Sequence, residues 1–256
     1  MKIIAVIPAH MASVRFPGKI LHEIKGLPMI EHVRRRALMC SGLTDVFVAT
    51  CDDQIAEVIK GFGGAVIKTS NAHNNGTTRV AEAVLNIDCD YVILLQGDEP
   101  LLLPKHIDLI IQAIKANPSI NVWNATASLE DEAELDRHSF VKCVNSLSGR
   151  ILMCFRKSPL YGLPETQMKN IRKILGIIAY KKELLVSLPS IGASNLEVLE
   201  SIEQMRLIEN DFSIHSVHVE PSLPSVNEPN EIYPVIEYLE NNSDQKKLLS
   251  KVLNWF

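Results

Sequence analysis

In the first half of the chain, short unbroken apolar runs alternate with stretches of helical period. Residues 3–7, 45–50, 65–68 and 91–95 read as strands buried on both faces, the first stopped by Pro8. Over 28–40, Met29, Ile30, Val33, Ala37 and Leu38 recur at helical spacing, with Arg34, Arg35 and Arg36 on the other side as a solvated face. A second helix covers 52–62 and is closed by Gly63-Gly64. The polar stretch 69–79 leads into a third through Val80, Ala83 and Val84, with Thr77 as its cap. A fourth helix spans 105–116. This alternation predicts an α/β fold with a mostly parallel sheet, whose loops 8–19, 50–53, 69–79 and 96–100 share one edge.

After residue 116 the pattern changes. Strands are expected at 122–128, 140–144, 151–155 and 174–180, with no long helix between them, so this part is antiparallel. Helices at 182–187 and 199–210, a strand at 213–219 and helices at 230–240 and 245–252 complete the chain. Without an internal repeat or linker, 1–256 reads as a single domain with an antiparallel insertion around 120–180.

Composition narrows the classes. The 256 residues are 46% hydrophobic and 22% charged with a formal net charge of −4, which fits a globular protein and argues against nucleic-acid or membrane-surface binding. Five cysteines without C-x-x-C spacing suit reduced thiols in a cytoplasm better than disulfides or zinc. The N-terminal apolar run is too short for a signal peptide, and no stretch approaches a membrane span. His215 and His218 would face opposite sides of a strand, and Trp123 and Trp255 read as packing residues.

Two places carry candidate chemistry. The loop after the first strand combines small residues Ala9 and Ala12, the hydroxyl of Ser13 and the cations Arg15 and Lys19, a set suited to phosphate. An ordinary polar loop with two solvated cations fits the same spacing. Asp98 and Glu99 follow the fourth strand, where a carboxylate opposite a cationic loop could hold magnesium, or simply form a turn.

The segment Pro8-Ala9-His10-Met11-Ala12-Ser13-Val14-Arg15-Phe16-Pro17-Gly18-Lys19 resembles the signature of the 3-deoxy-manno-octulosonate (Kdo) cytidylyltransferases, with His10 where that family has Arg. Gln96-Gly97-Asp98-Glu99-Pro100 matches the family residue for residue, and 69–79 resembles its Thr-x-x-x-His-x-Ser-Gly-Thr-Glu-Arg. The resemblance implies a Rossmann-like sheet of the nucleotide-diphospho-sugar transferase type. It also implies a nucleotide site of Pro8, Ala9, His10, Ser13, Arg15, Lys19, Thr69, His73, Gly76, Thr77, Arg79, Gln96 and Gly97. Lys19, Arg15 and Asp98 are then the catalytic residues.

Farther on the likeness thins. Lys142, Lys157, Tyr180, Lys181, Glu203, Gln204 and Arg206 fall at positions of the family's sugar side. Asn227 stands where the family has a second metal-ligating Asp, and the adjacent Glu228 is the other candidate. The implied reaction joins CTP to a 3-deoxy-2-ulosonic acid (Kdo or a modified form such as an 8-amino one) with Mg2+ as cofactor, in a cytoplasmic homodimer, for surface-polysaccharide synthesis. Transfer to another sugar acid or a sugar phosphate, or a weakly active nucleotide-binding relative, remain open from the sequence.

Overall fold

The computed structural model describes residues 1–255 and divides into two compact units. One is Met1–Asp108 with the stretch from Leu223 onward; the other is Leu109–Ser222. The interruption of the first unit is therefore wider than the 120–180 insertion expected from the pattern.

The first unit runs β1 (Ile3–Ala9), the hairpin β2 (Glu23–Ile24) and β3 (Leu27–Pro28), α1 (Met29–Leu38), β4 (Asp45–Thr50), α2 (Asp53–Gly61), β5 (Ala65–Lys68), α3 (Gly76–Ala83) and β6 (Tyr91–Leu95). Its strands lie in the order β6-β1-β4-β5, all parallel. Parallel strands covered on both faces bury nearly every side chain, so β1 and β6 are apolar throughout. β1 does not stop at Pro8. Pairing with β6 ends at Val6–Leu94, but pairing with β4 continues to Ala9–Thr50, so the missing N–H of Pro8 falls where β1 has one neighbour.

α4 (Pro104–Ala116) carries the boundary into the second unit: β7 (Val122–Ala127), α5 (Ala133–Asp136), β8 (Lys142–Asn145), β9 (Ile151–Phe155), α6 (Pro164–Asn170), β10 (Ile171–Lys181), α7 (Lys182–Ser187), α8 (Asn195–Glu200), α9 (Gln204–Glu209) and β11 (Ile214–His218). β10 is antiparallel to β7 and β8, β8 is antiparallel to β9, and β11 runs parallel to β7. The single helix expected at 199–210 is two. Ser201 takes a left-handed conformation, φ 54°, and ends α8 before α9 starts. Trp123 is buried with its ring tilted 59° against that of His215, as packing residues do.

α10 (Ile232–Asn241) and α11 (Ser243–Leu253) belong to the first unit, where Val235 and Leu239 join Ile24, Met29, Leu101 and Val226 in one cluster. α11 also takes part in the clearest departure from the periodicity. Arg34, Arg35 and Arg36 are buried. Arg34 grips Glu31 through two nitrogens at 2.6 and 2.7 Å, Arg35 Nη1 donates to the Val252 carbonyl of α11 at 2.7 Å, and Arg36 Nη1 donates to the Leu102 carbonyl at 3.1 Å. Burial brings the Arg36 guanidinium down to about 9. On a face that reads as solvated, Arg34 is held within its own helix, Arg36 by chain 66 residues away and Arg35 by chain 217 residues away.

Candidate active site

The loop leaving β1 is held from both sides. Asp52, just beyond β4, accepts from the Met11 amide at 2.9 Å, and the Gly18 amide donates to the Met11 carbonyl at 2.9 Å. Gly18 sits at φ +72°, a conformation that L side chains rarely adopt, and a Cβ there would lie 3.3 Å from the Met11 side chain. This turn starts the short helix Lys19–Leu21 and aims Lys19 at the end of β6. Lys19 Nζ lies 2.5 Å from Asp98 Oδ2 and donates to the Val226 carbonyl at 3.0 Å, while the Val226 amide donates to the Asp98 carbonyl at 2.9 Å. Both side chains are largely shielded from water, which strengthens their attraction.

The stretch 69–79 is ordered by its own polar side chains. Thr77 is not the cap. Asn75 precedes the helix in extended conformation and its Oδ1 accepts from the Thr78 amide at 2.9 Å. Thr77 lies in the first turn, half-buried. Arg79 is buried, with Nη1 donating to Thr69 Oγ1 at 2.7 Å and to the Ser70 carbonyl at 3.1 Å. His73 bonds Glu82 through Nε2 and lies 3.2 Å from Thr78 Oγ1 through Nδ1. The His73 hydrogen bond holds the Glu82 carboxyl below its usual range. Gly76 packs so closely on Pro8 that a Cβ would meet its ring at 3.0 Å.

A cavity of about 180 Å³ opens among these loops. From the first loop it is lined by Pro8, Ala9, His10, Ser13 and Lys19, from the second by His73, Gly76 and Arg79, and from the β6 end by Gln96, Gly97 and Asp98. Ile20, Asn74 and Asn75 also line it. Of these only Asn75 had a readable signal, an Asn-Gly pair ahead of an apolar helix. The loop at 50–53 does not line it but braces it through Asp52.

Thr69, Thr77 and Arg15 are not part of its lining. Arg15 is exposed, with Nη2 donating to Asn227 Oδ1 at 3.0 Å and Nη1 4.0 Å from Glu228. Asn227 is fixed further by Nδ2 donating to Ser225 Oγ at 3.2 Å and by its amide donating to Glu231 at 2.5 Å.

The model of the cytidylyltransferase family matches residues 4–214. The 3-deoxy-manno-octulosonate cytidylyltransferase of Geobacter metallireducens is 35% identical over 93% of this chain and 98% of its own. The 8-amino-3,8-dideoxy-manno-octulosonate cytidylyltransferase of Shewanella sediminis is 36% identical over 91% and 96%. The chain belongs to the cytidylyltransferase family. Among solved structures, a CMP:2-keto-3-deoxy-manno-octonic acid synthetase complexed with CTP superposes with a TM-score of 0.89 at 33% identity, over 94% of this chain and 99% of that one.

The remaining positions of this cytidylyltransferase lie in the second unit. Lys142, expected as a cation near substrate, instead points inward. It is fully buried and donates to the carbonyls of Glu134 at 3.2 Å and Arg137 at 2.9 Å, and burial lowers its pKa. An ammonium spent on two carbonyls fixes the turn before β8. Arg206 is engaged by Glu197 through two nitrogens at 2.6 and 2.7 Å, a hydrogen bond that raises its pKa. Gln204 Nε2 donates to Asn124 Oδ1 at 3.1 Å, Tyr180 is buried near Arg206, and Lys181 is half-buried at the end of β10. Glu203 and Lys157 are exposed.

Proposed function

We propose that this cytidylyltransferase joins CTP to a 3-deoxy-2-ulosonic acid, Kdo or its 8-amino form, giving the CMP-sugar and pyrophosphate. The observation that carries the reading is the 2.5 Å pairing of Lys19 with Asp98 inside a cavity also lined by Arg79 and Gly97. A cation and a carboxylate held on opposing loops beside close-approach glycines suit a phosphate chain and its metal. The relatives named for Kdo and 8-amino-Kdo support the acceptor class.

The donor set fits magnesium. Asp98 offers carboxylate oxygens and Asn227 an amide oxygen, and Mg2+ is usually held by one or two carboxylates together with substrate phosphates. When bound, the ion supplies charge neutralisation on the phosphates. Lys19 binds the phosphate chain once it leaves Asp98. Arg79 keeps Thr69 and Ser70 in place, so that backbone and side-chain groups of 73–76 face the base. The sugar's anomeric hydroxyl attacks the α-phosphorus in line, its proton passes to solvent, and pyrophosphate leaves. Such a transfer rests on positioning and charge stabilisation, with no covalent enzyme intermediate. Gln204, Arg206, Lys181 and Lys157 are the candidates for the sugar's carboxylate and hydroxyls. Among the described residues no helix is long and apolar enough to cross a membrane. A cytoplasmic homodimer acting in surface-polysaccharide synthesis completes the reading.

Pyrophosphate release measured with CTP or UTP against Kdo, 8-amino-Kdo and a sugar 1-phosphate tests it. Turnover is expected with CTP and a ulosonic acid. Turnover only with the sugar phosphate, or CTP binding without turnover, overturns it.

A further inference from the structure

His10 sits in the cavity wall on the loop leaving β1, with its ring exposed and making no hydrogen bond to another described residue. The groups whose charges act on it are Arg79 of α3, Lys19 of the short helix, Asp52 beyond β4 and Asp98 beyond β6. Each of these is already engaged. Lys19 is bound to Asp98, Asp52 to the Met11 amide, and Arg79 to Thr69 and Ser70. Arg15 lies outside the cavity on Asn227. In the free protein the cavity's two cations are therefore both engaged before a phosphate chain enters. His10 is a lining side chain that can add a charge without breaking an existing pair, and unlike His73 it has no carboxylate bonded to it.

We infer that His10 is a conditional cation: neutral in the free protein, it takes up a proton as the phosphate chain of the nucleotide enters, making nucleotide affinity depend on pH. The inference rests on the nucleotide reading above. Its geometry comes first, a solvent-reachable imidazole on the same wall as Lys19. The electrostatics agree. Partial burial and the neighbouring Arg79 hold the imidazole below its ordinary value in the free protein, and Lys19 adds to this against the opposing Asp52 and Asp98. A polyanion beside it reverses the balance. The sign follows: affinity is highest at low pH, where the free imidazole is already charged, and falls as pH rises from the free toward the bound pKa. A permanent cation here would hold nucleotide at any pH; an imidazole makes the hold proton-dependent.

The test is calorimetric titration of the full-length protein with CTP and Mg2+, without acceptor sugar, from pH 6 to 8 in pairs of buffers of different ionisation enthalpy. Wild type is expected to take up a fraction of a proton near pH 7 beyond that taken up by His10→Gln, and to lose roughly five- to tenfold in affinity across the range. His10→Arg should bind with a nearly flat profile. His73, the other lining histidine, is present in all three proteins and cancels in the comparison. The Cε1 proton of His10, followed by NMR, should titrate at higher pH with CTP than without. If His10→Gln keeps the full proton uptake and pH profile of wild type, or the His10 resonance is unmoved by CTP, the inference is overturned while the nucleotide reading stands. If folded wild type binds no CTP at any pH, both fall.

Discussion

Lys19 Nζ lies 2.5 Å from Asp98 Oδ2, and the same ammonium donates to the carbonyl of Val226, whose amide returns a bond to the Asp98 carbonyl. Three segments distant in sequence are thus closed around one cation: the loop after β1, the end of β6 and the stretch before α10. In the proposed reaction the ammonium must exchange Asp98 for phosphate, freeing the carboxylate as the phosphates arrive.

Lys19→Ala should therefore damage turnover far more than folding. Loss of a charge-assisted contact strengthened in the transition state should lower kcat/KM by about 2–4 kcal/mol, by analogy with removal of an oxyanion donor. Steady-state kinetics beside a thermal melt check it. Activity within about threefold of wild type, under ~0.7 kcal/mol, would reduce Lys19 to a structural clasp.

Asn227 faces two demands. Its Oδ1 accepts from Arg15 at 3.0 Å, yet the same oxygen is the second candidate for magnesium. An amide lacks the charge of a carboxylate and holds both cations weakly. Asn227→Asp should lower the magnesium concentration for half-maximal rate, whereas Asp98→Asn should nearly eliminate activity. A magnesium titration of the three proteins at saturating CTP and sugar decides. An inactive but folded Asn227→Asp would show instead that the added carboxylate traps Arg15.

Arg79 ties down the start of the 69–79 stretch, reaching Thr69 and Ser70 with one nitrogen. The lysine side chain is one bond shorter, so its ammonium falls short of the position of Arg79 Nη1 and Arg79→Lys should leave Thr69 or Ser70 unpaired. We expect a fall of at least tenfold in kcat/KM for CTP, and a reduced preference for CTP over UTP as the loop loosens. A variant with wild-type selectivity would remove the loop from base recognition.

His32 should set an acid limit on stability. It is buried in α1 with Nε2 bonded to the Ile24 carbonyl at 2.7 Å, its Nδ1 has no partner, and burial lowers the imidazole to about 4. The unfolded chain titrates near 6.5, so below that pH it binds more protons than the folded one. Stability should fall as pH drops through the window from 6.5 to 4, by about 3 kcal/mol in all and about 2 by pH 5. Urea unfolding at pH 7.5 and 5 measures this. His32→Gln, even if less stable throughout, should lose that part of the slope; an unchanged slope would assign it to the carboxylates.

Sequence alone determined the bounds of several elements. β4, β5, β6, β9 and α7 begin and end where the pattern put them, although only β6 is buried at every position and β5 has no fully buried residue. The two cavity loops were legible because Gly18 and Gly76 mark backbone that must turn sharply or pack closely. What only the tertiary structure decided is where charges find their partners. Arg34, Arg35 and Arg36 read as solvated because a helical wheel does not show the Phe62, Val252 and Leu102 carbonyls that accept from them. Lys142 read as a substrate cation because its inward path to the Glu134 and Arg137 carbonyls depends on how the turn before β8 closes. Lys19, Asp98 and Val226 meet across separations no periodicity encodes. Hydrophobic burial follows the local order of the chain; electrostatic pairing follows distance in space, which the chain acquires only once it has folded.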